Sequence, residues 1–354
     1  MPSSPVASHG SATLPSVTVE SYNVELEEAG EFAGDRASRA AFDASLEKWR
    51  EPLRELGVDP FGDRETDELG KKALEQVLID GEPEAAGVVH GAIEDFAQAF
   101  AEVTQKLLKV KEWKGTERIV VGGGFRSGRV GELAIGRASV LLKSENVAVE
   151  IVPIRHHPDA AGLIGAVHLA PSWIFEAHDG LLAVDIGGTN IRAGVVATNR
   201  KKASDLSKAA VVRSELWRHG DEDVKRDEAV ARLIDMLRDL IERTGRKGMV
   251  LAPFIGIGCP GRIEEDGSID RGAQNLPGNW ESSRFNLPAC LVDAIPSIGE
   301  HETVVVMHND AVLQGLSEVP FMKDVQRWAT LTIGTGLGNA CFTNRAGAAA
   351  AKKA

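Results

Sequence analysis

Residues 181–196 read LLAVDIGGTNIRAGVV, and this stretch decides the fold class of the chain. Two apolar runs flank Ile-Gly-Gly-Thr-Asn, which predicts two strands joined by a tight hairpin. The glycines would let backbone amides approach phosphate oxygens, and Asp185 at the strand end could hold Mg²⁺ through water. The candidate phosphate contacts are Gly187, Gly188, Thr189 and Asn190. Alone, the motif fits a phosphate cradle and a plain hairpin with an acidic edge about equally.

Two further glycine turns follow predicted strands. Residues 332–336 read TIGTG and repeat the pattern of a β run that ends in glycine and threonine. Residues 119–124 read IVVGGG, so a short strand runs into a turn on which adenosine could lie. The candidate nucleotide contacts are Gly334, Thr335 and Gly336 in the first turn and Gly122, Gly123 and Gly124 in the second. Glycine turns without a ligand are common, and neither turn fits the P-loop or the dinucleotide motif.

An acidic residue follows another predicted strand. Asp310 ends the segment His-Asn-Asp after the run 303–307, where it could accept the proton of an attacking hydroxyl. The same position suits a helix N-cap, formed by Asn309 or by Asp310. Residues 275–280 read NLPGNW, and the amide of Asn275 suits a wall that pairs with sugar hydroxyls. The alternative for that segment is a surface turn with its tryptophan anchored in the core.

The composition excludes several classes of partner. The chain has 354 residues and a formal net charge of −12, which disfavours nucleic acid and anionic membranes as partners. No run approaches the length of a membrane span, and residues 1–15 lack the pattern of a signal peptide. We therefore expect a cytoplasmic protein with a disordered lead-in at residues 1–15 and a disordered tail at residues 346–354. The three cysteines are far apart and predict neither a disulfide framework nor a zinc site.

In their order along the chain, these motifs resemble those of the ROK family (repressors, open reading frames and sugar kinases). The resemblance rests on DIGGTNIR at 185–192, GIGCPG at 256–261, NLPGNW at 275–280, HNDA at 308–311 and LTIGTGLG at 331–338. It implies an α/β protein with two RNase H-like domains of the actin/hexokinase type around a cleft. The family's zinc-binding segment is missing, so no structural zinc is expected, and its sugar-binding ExGH segment is not recognisable.

The order of the remaining segments predicts a circular permutation. Residues 86–108, 119–125 and 149–170 resemble segments that follow the second phosphate motif in the family, but here they precede the first. The family's usual termini would then be joined through residues 170–180. The predicted larger domain contains residues 16–160 and 311–345, and the predicted smaller domain contains residues 161–310.

The resemblance implies an ATP-dependent kinase that acts on a sugar hydroxyl, with ATP and Mg²⁺ as its cofactors. Asp310 would be the general base. The implied sugar contacts are Asn275, Asn309, Asp310 and, as a loose match to a glucokinase segment, Asp35. Homodimers are common in the family, so a homodimer is implied as well. Two alternatives stay open: a sugar-sensing regulator without a DNA-binding domain, and an actin-like ATPase.

Overall fold

The computed structural model describes residues 6–28 and 30–345, so the predicted tail and residues 1–5 of the predicted lead-in lie outside the described residues. Strands and helices alternate along the chain, as expected of an α/β protein. The chain divides into two units by its internal contacts. Unit 1 contains the described residues of 1–23, 155–330 and 340–354, and unit 2 contains those of 24–154 and 331–339.

The strands and helices have the following bounds. The strands are β1 Val17–Tyr22, β2 Glu27–Glu28, β3 Glu31–Phe32, β4 Arg118–Gly122, β5 Glu150–Pro153, β6 Gly180–Ile186, β7 Ile191–Ala197, β8 Ala210–Trp217, β9 Leu251–Cys259, β10 Ser297–Ile298, β11 His301–Glu302, β12 Val304–Asn309, β13 Arg327–Ile333 and β14 Leu337–Asn344. The helices are α1 Arg39–Glu55, α2 Lys71–Asp80, α3 Pro83–Lys109, α4 Arg129–Ser144, α5 Pro158–Gly165, α6 Arg226–Gly245, α7 Leu287–Ala294 and α8 Asp310–Leu316.

The central sheet of unit 1 has the strand order β12-β9-β6-β7-β8. Strands β6, β7 and β8 form an antiparallel meander, whereas β9 runs parallel to β6 and β12 runs parallel to β9. Leu182 and Val184 on β6 are fully buried in a core that also contains Leu233 and Leu237 of α6. Because both faces of β6 are covered, its sequence is a continuous apolar run and does not alternate.

The second five-stranded sheet has the order β1-β14-β13-β4-β5, and its strands β13 and β14 contribute residues to both units. Strand β1 is antiparallel to β14, and β4 is parallel to β5. If strands are counted from β6 in the first sheet and from β13 in the second, both sheets have the order third, second, first, fourth, fifth. In the second sheet the third place belongs to β1, which precedes β13 in the chain.

The helices of unit 2 bury an aromatic cluster. Helix α3 buries one apolar face, on which Phe96 and Phe100 lie with their rings stacked 6.2 Å apart. Phe125 lies 4.7 Å from the ring of Phe96 and 5.1 Å from that of Phe42 on α1. Phe125 thus packs the loop after β4, which follows the glycine triplet, against helices α1 and α3.

The predicted lead-in and domain limits differ from the structure. Leu14 is only 1% exposed, and the Gly10 N–H donates to the Met307 carbonyl at 3.0 Å, so described residues of the lead-in are ordered. The predicted smaller domain ends at residue 310, whereas unit 1 continues to residue 330. The physical reason is that α8 packs against α5 and β9, which a division by motif order does not take into account.

The packing of α5 against α8 depends on Gly165. A Cβ added at this residue would lie 1.7 Å from the Leu313 carbonyl oxygen, so Gly165→Ala must push the two helices apart. We expect the free energy of unfolding to fall by about 2–3 kcal/mol in urea denaturation. Gly136→Ala is the matched control, because this α4 glycine is exposed with nothing near its added Cβ. It should gain roughly 0.5–1 kcal/mol, and equal effects of both changes would contradict the packing argument.

Candidate active site

The first glycine turn joins β6 to β7, as predicted. The Gly187 N–H donates to the Asn190 carbonyl at 2.8 Å and closes the turn. Neither Gly187 nor Gly188 has positive φ, so the glycines are not needed for a left-handed backbone. What Gly188 provides is clearance, because a Cβ there would lie 3.2 Å from the Cβ of Asn275. The glycine turn and the predicted sugar loop are therefore direct neighbours in unit 1.

A residue that the sequence motifs did not indicate supports this turn. His219 is buried, and its Nε2 lies 2.8 Å from the Gly187 carbonyl oxygen. The next residue, Gly220, donates its N–H to the Thr189 carbonyl at 3.0 Å. A Cβ on Gly220 would meet the Thr189 backbone at 3.2 Å. The turn is thus held from behind by residues that directly follow β8, and the local sequence around His219 gives no signal of that contact.

Asp185 lies near the end of β6 with a side chain that is only 13% exposed. Arg192, its partner in the hairpin register, places Nη1 3.5 Å from Asp185 Oδ2. Gly162 of α5 presses on the carboxylate, since an added Cβ would lie 2.6 Å from Asp185 Cγ. Burial raises the pKa of Asp185 to about 6, although the Arg192 charge opposes this rise. A buried carboxylate beside an arginine is a good partner for a cation.

Asp310 begins α8, directly after β12, and is half-buried. Burial, together with the negative charge of Asp185, raises the pKa of Asp310 to about 7. The two acids also act on one thiol, because burial and the charges of Asp310 and Asp185 raise the pKa of Cys259 well above its usual value. The structure thus brings together the two acids that the sequence motifs singled out, on the ends of β6 and β12.

Asn309 has a different role from the predicted sugar contact. It is fully buried, and its Oδ1 accepts from the N–H groups of Ala311 and Val312, which makes it the N-cap of α8. Its Nδ2 donates to the Gly261 carbonyl at 3.1 Å and to Asp310 Oδ1 at 3.0 Å. All of its hydrogen-bonding positions are therefore occupied by the protein. Asn309 orients Asp310, and the helix cap considered from the sequence is present.

The predicted sugar loop has its tryptophan anchored in the core, as the alternative interpretation expected, and its sugar-binding role stays a prediction. Trp280 is 1% exposed, and its indole N–H donates to the Pro277 carbonyl at 2.8 Å, so it anchors the loop in the core. Its ring also lies edge-on to Phe285, with 5.3 Å between the ring centroids. Asn275, in contrast, is exposed beside Gly188. The anchored tryptophan thus leaves the amide of Asn275 accessible to a small molecule.

Unit 2 contains the two other glycine turns. In the turn between β13 and β14, the Gly334 N–H donates to the Gly336 carbonyl at 2.9 Å, and the Gly334 carbonyl accepts from the Arg39 N–H at 3.0 Å. At the end of β4, Gly123 has φ +84°, and an added Cβ would lie 2.4 Å from the Ile333 carbonyl oxygen. Gly123 is therefore required by the protein's own packing, whereas its neighbour Gly124 is exposed with open space at its Cβ position.

The remaining predicted residues also lie in unit 2. Gly122 is the buried last residue of β4, and Thr335 lies between Gly334 and Gly336. Asp35 is exposed in a short 3₁₀ turn of unit 2, and its role as a sugar ligand stays a prediction. Lys71 of α2, which no motif indicated, donates to the Gly124 carbonyl and, at 2.7 Å, to Ser127 Oγ.

Within residues 6–28 and 30–345, no group of three or more His, Cys, Asp or Glu side chains is arranged to hold a metal ion. Among the helices of the same residues, none is long and apolar enough to cross a membrane.

The chain is similar to a known protein over somewhat less than half of its length. No family model matches the chain. The glucokinase of Thermotoga maritima is 32% identical over 166 residues, which are 46% of this chain and 44% of that protein. This match supports the resemblance to sugar kinases over somewhat less than half of the chain. The chain spans less than half of that glucokinase, so the family likeness does not transfer the whole activity.

Two solved structures resemble the chain at lower sequence identity. A ROK hexokinase from Thermus thermophilus is 21% identical, covers 45% of each chain and gives a TM-score of 0.30. A proposed sugar kinase from Cytophaga hutchinsonii is 20% identical over 47% of this chain and 48% of its own, with a TM-score of 0.36.

The raised pKa values of the two acids predict how stability depends on pH. Both carboxyls bind protons more tightly in the folded chain than in the unfolded one. The free energy of unfolding should therefore fall as pH rises from about 4 to about 7. Asp310→Asn removes part of this effect, so we expect the variant to be more stable than the parent at pH 8, by about 1–2 kcal/mol after discounting for partial exposure.

The measurement is thermal unfolding of both proteins between pH 4 and pH 8. The difference should shrink towards pH 4, because the folded carboxyls become protonated as the pH falls below their raised pKa values. Asp293→Asn, at an exposed position on α7, is the matched control and should leave the pH dependence unchanged. A variant less stable than the parent at pH 8 would show that Asp310 is not held at a desolvation cost.

Proposed function

We propose that the chain transfers the terminal phosphoryl group of ATP to a hydroxyl of a small sugar, with Asp310 as the general base. The observation that carries this proposal is the half-buried Asp310 at the end of β12, with a pKa raised to about 7 and its carboxylate fixed by Asn309. A general base works best when its pKa lies near the working pH. An ordinary exposed aspartate, with a pKa near 4, would be a weak base for a sugar hydroxyl.

The residues of the first turn fit the phosphates of a nucleotide. Gly187 and Gly188 carry no side chains that would block an approaching phosphate, and Thr189 and Asn190 add polar side chains at the exposed end of the turn. The contacts of His219 and Gly220 fix the turn before a ligand arrives, which lowers the entropy lost on binding. Within unit 2, we propose Gly334–Gly336 as a phosphate contact and the loop at residues 122–124, where Gly124 faces open space, as an adenosine contact.

Asp185 is the residue that would hold Mg²⁺. Mg²⁺ prefers oxygen ligands and keeps several waters, so one carboxylate together with substrate phosphates is a sufficient set. Asp185 suits this role because burial disfavours its charged form and a cation would restore it. When bound, Mg²⁺ neutralises charge on the transferring phosphoryl group.

The sugar would be oriented by the protein's own polar groups. Asn275 presents an exposed amide beside Gly188, which suits hydroxyl groups that both donate and accept. Asp310 would then take the proton of the hydroxyl that attacks phosphorus, while Asn309 prevents the carboxylate from turning away. We propose a hexose or amino sugar as substrate, and Asp35 stays a candidate sugar contact.

We propose in addition that the chain is a circularly permuted relative of the sugar kinases. Two observations support this. Both five-stranded sheets have the same strand order only if the second is counted from β13 and continues into β1. Strand β1 pairs with β14, with Val17 opposite Asn344, so the third strand of the second sheet comes from the other end of the sequence. A co-linear match to an unpermuted relative would then cover about half of each chain, as the glucokinase match does.

The permutation is tested by rearranging the sequence. The order 177–354 followed by 1–176 should match the Thermotoga maritima glucokinase over much more than the 166 residues of the present match, because both exchanged segments then align in one direction. Shuffled versions of residues 1–176 in the same position are the control. If the natural segment aligns no better than the shuffled ones, the permutation is rejected.

The activity is tested by ADP release over a panel of hexoses and N-acetylhexosamines. We expect sugar-dependent ADP with at least one of them. Asp310→Asn should lower this turnover by about 10²–10⁴-fold, because the hydroxyl loses its base, while the affinity for ATP is retained. Asp293→Asn is again the control and should turn over normally. ADP release without sugar would indicate an ATPase, sugar binding without turnover a sensor, and near-normal turnover in Asp310→Asn would overturn the assigned base.

A further inference from the structure

Strand β12, which leads to Asp310, is an edge strand of its sheet. On one side it pairs with β9. On the other side, the backbone groups of Met307 and Asn309 point away from the sheet, and an edge strand normally leaves such groups to solvent. In this protein the N–H groups of both residues and the carbonyl of Met307 are occupied, and two of the partners are imidazole rings.

The first imidazole belongs to a segment from the other end of the chain. His9 Nδ1 accepts the Met307 N–H at 3.0 Å, and the Gly10 N–H donates to the Met307 carbonyl at 3.0 Å. Gly10 has φ +57°, and a Cβ there would lie 2.1 Å from the Ile263 carbonyl oxygen. We name residues 9–11 the strap, because they lie along the edge of β12 and no larger side chain fits at the central position.

The second imidazole is His308 itself, which is fully buried. Its Nδ1 accepts the Asn309 N–H at 2.8 Å, so the ring hydrogen is on Nε2, which lies 3.2 Å from the Ser11 carbonyl oxygen of the strap. The ring of Tyr22 stands edge-on to it at 5.1 Å, and the Tyr22 hydroxyl bonds to the backbone of Ile263. Both ring nitrogens and one edge of the ring are therefore fixed.

The consequence reaches the acid through one residue. The N–H that His308 holds is that of Asn309, and Asn309 in turn caps α8 and bonds Asp310 Oδ1 at 3.0 Å. A rotation of the Asn309 peptide would release the cap and move the carboxylate together. We propose that His308, held by the strap, is a positioning residue that keeps Asp310 in its catalytic orientation. This inference rests on the function proposed above.

The test compares two replacements of His308. His308→Leu removes both hydrogen bonds of the ring, whereas His308→Asn keeps an acceptor close to the position of Nδ1. We expect the leucine variant to lose about 10–100-fold in kcat with the KM for ATP nearly unchanged, because the acid is misplaced while the nucleotide site is intact. The asparagine variant should recover most of that loss. His90→Leu, at an exposed position of α3, is the control for losing an imidazole.

A second readout does not depend on turnover. Hydrogen exchange of the Asn309 and Ala311 amides should be fast in His308→Leu and slow in both the parent and His308→Asn. If the parent shows no sugar-dependent ADP, the proposed function has failed, and this exchange still decides whether His308 holds Asn309 and the cap. Slow exchange in the leucine variant, or kcat within twofold of the parent, would overturn the proposal. So would an equal kcat loss in both replacements.

Gly10→Ala reaches the same contact from the strap and covers the case in which His308→Leu does not fold. Its Cβ would collide with the Ile263 carbonyl and lift the strap from β12. We expect a kcat loss in the same direction, with the KM for ATP nearly unchanged and faster exchange of the Met307 amide. A folded Gly10→Ala protein with unchanged kcat and slow Met307 exchange would contradict the role of the strap.

Discussion

The carboxamide of Asn309 joins three parts of unit 1 at a single point. It caps α8, it binds the Gly261 carbonyl in the loop after β9, and it holds the carboxylate of Asp310. In a fully buried amide, each donor or acceptor left without a hydrogen-bond partner costs on the order of 1–3 kcal/mol of stability. The position of the acid is therefore set by the requirement to satisfy one neutral side chain.

The parts of the site that could be predicted from the sequence are those written in local pattern. The hairpin around Gly187 and Gly188 and the acid at Asp310 both follow from patterns within a few residues. The resemblance to the sugar kinases then predicts that these segments belong to one binding site. The role of each glycine was less accessible, since Gly188 is needed for clearance from Asn275, a residue far along the chain.

The features that escaped prediction join residues that are distant in sequence. His219 contacts Gly187 across 32 positions, and His308 contacts Ser11 across 297. A histidine in either place has no local signature, because its function lies in a partner that the chain brings near only on folding. For the same reason residues 6–15, rich in small and polar types, were expected to be disordered, although the edge of β12 gives them hydrogen-bonding partners.

The thiol of Cys259 shows what a desolvated acid pair does to its surroundings. It lies at the end of β9, fully buried, and the charges of Asp185 and Asp310 add to burial in keeping it protonated. Thiolate is the form that oxidants and electrophiles attack. The same burial and negative charge that raise the pKa of Asp310 therefore keep the neighbouring thiol protonated, so Cys259 is a poor target for oxidants and electrophiles in the folded chain.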